Sequence, residues 1–203
     1  RFEWQTPTVP GATPVVVEST GAPGPIRPLG VLERRALEAA RLAAVDPYEL
    51  VRVLTCGTDL APGTFEELDL TPDGTRLHRV EVGPGGNVAN VVVGEVTNEF
   101  PPFHEGLRRV LVLGDPTRHF GALGEPECRR VIAAFDHAEA HGLPVEWVPV
   151  SSGARIAMDS GTENLDWTAR VLARIVRFTQ AGGVVNLVVD GLNAAPGITC
   201  PKP

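Results

Sequence analysis

The segment Val148-Pro149-Val150-Ser151-Ser152-Gly153-Ala154-Arg155-Ile156 is the most informative stretch for chemistry. A strand ends, small residues make a turn, and an arginine-bearing segment follows. Small side chains let successive backbone N–H groups converge on one point, which suits an anion or a developing oxyanion. The same spacing also fits a purely structural strand-to-helix turn. Asp115-Pro116-Thr117 is a second candidate, after the apolar run Val110–Leu113. It falls at a carboxyl strand end, where ligands collect in open α/β sheets, although aspartate is common there as a turn or cap residue.

Other chemistries find less support. His137 and His141 lie one helical turn apart, the spacing of a metal pair. At about 100° per residue, however, Val131, Ile132, Phe135 and Ala138 share one face and both histidines fall on the other, so no metal site is expected. His119, beside Phe120 in a loop after a strand, is better placed but stands alone. Gly83-Pro84-Gly85-Gly86-Asn87 is glycine-rich, yet it lies between strands rather than opening a helix, which removes the dinucleotide reading. No G-x-S-x-G elbow occurs, and Ser151 and Ser152 have no identifiable base, so a serine hydrolase is unsupported. Cys56, Cys128 and Cys200 form no CxxC pair and read as reduced thiols of a cytoplasmic protein.

The elements that position these residues follow from composition and pattern. In 203 residues, 43% are apolar and 21% charged, enough for one ordinary domain with an extension. The net charge of −7 argues against a nucleic-acid partner, and no apolar run is long enough for a spanning helix. A coenzyme A ligand is compatible with an acidic chain, because a few local arginines beside a backbone anion site can hold it. Residues 1–30 are rich in Pro, Gly, Thr and Val and read as an extended linker, with Arg1-Phe2-Glu3-Trp4 read as a cut end. Residues 31–74 read as a helical lead-in, with Asp46-Pro47 capping a second short helix, followed by a polar, turn-rich connection from Cys56 to Gly74.

Beyond Gly74 the spacing predicts strands at Arg76–Val82 and Val88–Val96 around a tight glycine bend, then a buried strand at Val110–Leu113. A helix is predicted over Glu125–His141, a strand over Val145–Val150, a helix from Asp166 to Thr179 and a last strand over Val184–Val189. The order implies an α/β fold of stacked ββα turns rather than a simple doubly wound sheet.

Four segments resemble the carboxyltransferase region of biotin-dependent acyl-CoA carboxylases, of the acetyl- and propionyl-CoA type. They are Gly83-Pro84-Gly85-Gly86-Asn87 with its following strand, and Gly114-Asp115-Pro116-Thr117 through Glu127. The third is Ser152-Gly153-Ala154-Arg155-Ile156; the last, Met158 to Asn164 with Asp166-Trp167, is most similar to actinobacterial fused forms. The resemblance spans about residues 77–193, the N-terminal half of the region, so residues 75–193 are expected to be a partial carboxyltransferase N-domain. Residues 31–55 also resemble the segment leading into it, and 194–203 are a divergent tail.

The resemblance implies a crotonase-like fold and a reaction in which carboxybiotin, on a carrier domain, gives its carboxyl group to the α-carbon of an acyl-CoA. It implies Ser152, Gly153 and Ala154 as the catalytic donor turn and Arg155, Asp115 and Thr117 as substrate-binding residues. The implied partners are biotin carboxyl carrier and biotin carboxylase domains, a C-terminal carboxyltransferase domain supplying the second half of the site, and further copies in a homo-oligomer. Ending where it does, the chain is expected to be inactive alone. Two other readings compete: a non-catalytic CoA-binding or subunit-docking module, and a biotin-independent crotonase-type enzyme acting on acyl-CoA.

Overall fold

The computed structural model describes residues 27–56, 62–100, 102–158 and 160–189, together with two short strands near the N-terminus. Those strands, β1 (Glu3–Gln5) and β2 (Val16–Glu18), pair antiparallel with each other, so the proline-rich segment carries a small ribbon within the expected linker. The rest of residues 1–26, Asp159 and the tail with Asn193 and Cys200 lie outside the described residues.

The lead-in forms α1 (Val31–Arg41) and α2 (Pro47–Thr55). At the first, Glu33 reaches back to accept from the Gly30 amide at 2.8 Å, satisfying a donor that a helix start leaves orphaned. At the second, Asp46 Oδ1 accepts from Tyr48 N at 2.9 Å with Pro47 following, the cap that the dipeptide predicts.

The expected polar connection instead contains β3 (Gly63–Leu70), an eight-residue strand. Its acidic residues find cations or hydroxyls elsewhere in the chain: Glu66 pairs with Arg79 at 2.9 Å and Asp69 with Arg130 at 2.7 Å. Glu67 accepts from the Tyr48 hydroxyl at 3.0 Å. Next come β4 (Leu77–Arg79), β5 (Val91–Phe100) and β6 (Phe103–Gly114), then α3 (Glu125–His141), β7 (Val145–Val148), α4 (Glu163–Gln180) and β8 (Val185–Leu187).

One mixed sheet results, in the order β4-β3-β5-β6-β7-β8. The first four strands run antiparallel to their neighbours, whereas β6-β7 and β7-β8 are parallel. Strand β4 pairs with β3 rather than β5, so the glycine bend carries the chain across β3 and does not close a hairpin. Here Gly83 and Gly85 take positive φ values of 70° and 84°, which residues with a Cβ adopt only under strain.

Strand alternation sends side chains to two cores. On one face Val91, Val93, Val110, Val112 and Val145 meet Cys128, Val131, Phe135, Val171 and Phe178 from α3 and α4. On the other, Val92, Val96, Leu111, Leu113 and Val148 meet Tyr48, Leu50, Val51 and Leu54 of α2. The molecule is a mixed α/β fold with helices on both sides of the sheet.

His137 departs from expectation. It is largely buried, and Nε2 lies 2.6 Å from Glu95 Oε1, because Glu95 shares with Val91 and Val93 the face of β5 that α3 covers. Cys128 is fully buried, and desolvation with the neighbouring Glu127 charge pushes its thiol up to about 12. Iodoacetamide at neutral pH is therefore expected to alkylate the exposed Cys56 and to spare Cys128 until the protein unfolds, as peptide mass mapping will read.

Candidate functional site at the carboxyl ends of β6 and β7

Two adjacent parallel strands, β6 and β7, end side by side, and the turns after them carry the singled-out residues. Their approach depends on glycine. A Cβ on Gly114 would lie 2.5 Å from Val150 N, and one on Gly121 only 1.9 Å from Val150 O. Backbone therefore packs on backbone at the mouth of the site. Between these glycines the chain makes a left-handed turn in which His119, Phe120 and Gly121 all have positive φ (44°, 53° and 68°). Two consecutive non-glycine residues in that region store strain, and such strain clusters at functional sites. Phe120 is 60% exposed there. Ile156 is 85% exposed on the neighbouring turn, giving the site an apolar element in each of its two turns.

The Ser152–Ala154 turn is tied inward. Ser152 N donates to Phe120 O at 3.1 Å, and Gly153 N donates to Ser151 Oγ at 3.0 Å. Leu123 N donates to Gly153 O and Arg155 N donates to Leu123 O, both at 2.8 Å, making a parallel bridge centred on Ala154. A parallel bridge uses the groups on either side of its central residue, so the Ala154 N–H points the other way. That amide has no acceptor among the described residues. Of three expected donors, two are therefore occupied internally and one is open. Arg155 is half-buried, and its carbonyl accepts from Asn164 Nδ2 at 2.8 Å, fixing the turn to the start of α4.

Asp115 is fully buried and saturated with donors. Oδ1 accepts from Thr117 N at 3.0 Å and Thr117 Oγ1 at 2.6 Å; Oδ2 accepts from Asn87 Nδ2 and Arg35 Nη2, both at 2.8 Å. Burial pushes its pKa up, but these hydrogen bonds and the Arg35 charge outweigh it and hold the carboxyl below the usual aspartate range. Asp46, also fully buried, shares the same guanidinium, with Oδ2 2.9 Å from Arg35 Nε. Its pKa stays raised, since desolvation exceeds what Arg35 and the Tyr48 amide return.

The structure thus gathers all six candidates around one pair of strand ends, but in two roles. Ser152, Gly153, Ala154 and Arg155 form the open turn; the buried Asp115 and the half-buried Thr117 brace the turn beside it. Sequence reasoning passed over Arg35 and Asn90. Asn90 Nδ2 donates to Ala122 O at 2.7 Å, and its amide donates to Glu127 Oε1 at 3.1 Å. Polar asparagine just ahead of the Val91–Val93 run was the available signal.

This mixed α/β chain, with a six-stranded sheet and a backbone-donor turn at parallel strand ends, is distantly related to an acyl-CoA carboxylase. It is 32% identical over 82 residues, 40% of its length, to acetyl-CoA carboxylase of Saccharomyces cerevisiae. The match covers 4% of that relative. No protein-family model matches the chain.

Proposed function

We propose that the chain is part of the N-terminal carboxyltransferase domain of an acyl-CoA carboxylase, with a crotonase-like arrangement of ββα turns. The observation that carries this is the Ala154 amide, left open at the end of a buried parallel strand within Ser152-Gly153-Ala154-Arg155-Ile156. The similarity to acetyl-CoA carboxylase gives that amide a natural ligand class, a coenzyme A thioester.

In this reading the thioester oxygen accepts from Ala154 N–H, and the fixed backbone dipole would stabilise the negative charge growing there as the α-proton passes to a base outside the described residues, which in the parent reaction would be biotin freed of its carboxyl group. Arg155, with Arg118, which is partly exposed on the preceding turn with Nε 4.0 Å from Asp115, supplies positive charge for the anionic part of coenzyme A. Phe120 and Ile156 offer apolar contact. Asp115 and Thr117 act on the substrate indirectly, by holding the turn before Phe120.

Carboxybiotin would supply the carboxyl group in the parent reaction. The described residues do not by themselves make its site: one open amide serves one oxyanion, and a second donor set is needed for the ureido oxygen. A C-terminal transferase domain, biotin carboxyl carrier and biotin carboxylase domains, and assembly with further copies remain part of the proposal, as does a cytoplasmic setting. Among the described residues, no helix is long and apolar enough to cross a membrane.

A non-catalytic CoA-binding or docking module is the second reading, favoured by the internal pairing of the Ser152 and Gly153 amides. Calorimetric titration with acetyl-CoA, propionyl-CoA and a long-chain acyl-CoA, each against its thioether analogue, separates the two. The thioether keeps every coenzyme A contact and lacks the carbonyl oxygen. A preference for the thioester of about 3–10-fold, the worth of one hydrogen bond, is expected. At 100 times the dissociation constant the ligand should add about 2.7 kcal/mol and raise the melting temperature by roughly 5–10 °C. Equal affinity for both compounds would favour a non-catalytic CoA-binding module; absence of binding would overturn the thioester reading and leave a subunit-docking role.

A further inference from the structure

Arg35 belongs to α1, far in sequence from both turns of the site, yet its guanidinium lies where the lead-in helices meet the end of β6. Nη2 donates to Asp115 at 2.8 Å, Nε faces Asp46 at 2.9 Å, and the group lies 5.7 Å from the Tyr48 ring centroid. Asp115 passes the connection on, since its amide donates to Asn90 O at 2.7 Å. Asn90 Nδ2 in turn holds Ala122 O at 2.7 Å. The next residue, Leu123, is bonded through both its N–H and its carbonyl to Gly153 and Arg155. A continuous hydrogen-bonded path therefore runs from α1 to the residues flanking the open amide.

We infer that Arg35 is a positioning residue for this site: through Asp115, Asn90 and the Leu123 bridge it fixes where the Ala154 amide points. The inference rests on the reading of that amide as the thioester donor. Chemistry favours arginine for the task. Its planar, delocalised group spreads one charge over two carboxylates, donating through Nη2 to Asp115 while Nε lies against Asp46, and it sits beside an aromatic ring, whereas a lysine ammonium is a single point charge. Two fully buried carboxylates lean on this guanidinium, Asp115 through a hydrogen bond and Asp46 through an ion-pair contact, so its loss leaves both with buried negative charge that is poorly neutralised.

The test compares Arg35→Lys and Arg35→Met with Arg174→Met. Arg174 is an equally buried arginine joining α4 to Asp136 and Glu139 on α3, away from the site, and controls for general destabilisation. Amide hydrogen exchange is read at Leu123 and Arg155 relative to the centres of α3 and α4, alongside thioester-over-thioether preference. For both Arg35 variants, exchange at Leu123 and Arg155 should quicken roughly ten-fold or more relative to the helices, and the preference should vanish. Arg174→Met, which loosens α3 against α4, should quicken exchange in those helices rather than at Leu123 and Arg155 and should leave the thioester preference unchanged. If Arg35→Met fails to fold, Arg35→Lys still supplies the measurement.

Unchanged relative exchange in an Arg35 variant that keeps its thioester preference would overturn the inference and leave the proposed function standing. Quickened local exchange in a protein whose wild type shows no thioester preference would do the reverse. It would support the hydrogen-bonded path and remove the ligand assigned to it.

Discussion

Replacing Asp115 with alanine is expected to destabilise the protein by about 3–5 kcal/mol, the cost of breaking a buried charge pair by removing one partner. The loss reaches further than one contact. Arg35 Nη2, Asn87 Nδ2 and the Thr117 hydroxyl would each lose the acceptor they now share, while Asp46 alone would remain to neutralise Arg35. For a domain of this length the effect corresponds to a fall in melting temperature of roughly 6–20 °C. Asp115→Asn should recover only part of it. One amide oxygen can still accept from Thr117, but an amide NH2 would then confront the donors of Arg35 and Asn87.

The acid limb of the stability curve gives an independent check. Folding lowers the Asp115 pKa, so the folded protein binds that proton less tightly than the unfolded chain does. Its contribution is complete above the unfolded value of about 3.9 and is lost as pH falls through the lower folded value. Asp46 runs in the opposite sense: its pKa is raised, so its contribution is greatest at low pH and is lost as pH rises through its folded value. Alanine at 115 should therefore flatten the acid limb below pH about 4. Urea melts at closely spaced pH values would measure this, and an unchanged slope would show that Asp115 is not the group being titrated.

Gly121→Ala is expected to cost about 3 kcal/mol or more, chiefly because its neighbour cannot retreat. The added Cβ would fall 1.9 Å from the Val150 carbonyl oxygen, and φ of 68° adds backbone strain. Relief requires parting the turn before Leu123 from the end of β7, which breaks the Ser152–Phe120 hydrogen bond. Gly142→Ala is the matched control. It has a similar φ of 63° but nothing within 4 Å of the added atom, so it should show the strain without the collision. Equal thermal melts for the two variants would contradict the close packing at the site mouth.

These two residues show what the sequence could and could not disclose. Helix α3 was legible to its ends, because glycine stops, proline at a helix start and an apolar stripe are all local signals. The Asp46-Pro47 cap was legible for the same reason. Strand β3 was not. Its Glu66, Glu67 and Asp69 look like a solvated connection until Arg79, Tyr48 and Arg130 are brought beside them. His137 likewise needed Glu95, from another element, to become a buried partner rather than a surface group. At the site, the small-residue turn after β7 was visible as a pattern. That Phe120 O and Ser151 Oγ already occupy two of its amides depends on backbone acceptors, which carry no mark in a sequence. Asp115 was visible as a strand-end carboxylate, but its burial was set by Arg35, 80 positions away.

That separation bears on the order in which the molecule assembles. Helices α1 and α2 leave the ribosome before any strand of the main sheet, and Tyr48, Leu50, Val51 and Leu54 must wait for β5 and β6 before they have a surface to cover. Closing an 80-residue loop is entropically costly, and the Arg35 contact rewards it only after the sheet has formed. The salt link between α1 and the strand end is thus a late event in folding. Until it is made, the turns at the carboxyl ends of β6 and β7 have no fixed relation to the lead-in helices, so a nascent chain is expected to order the proposed site last.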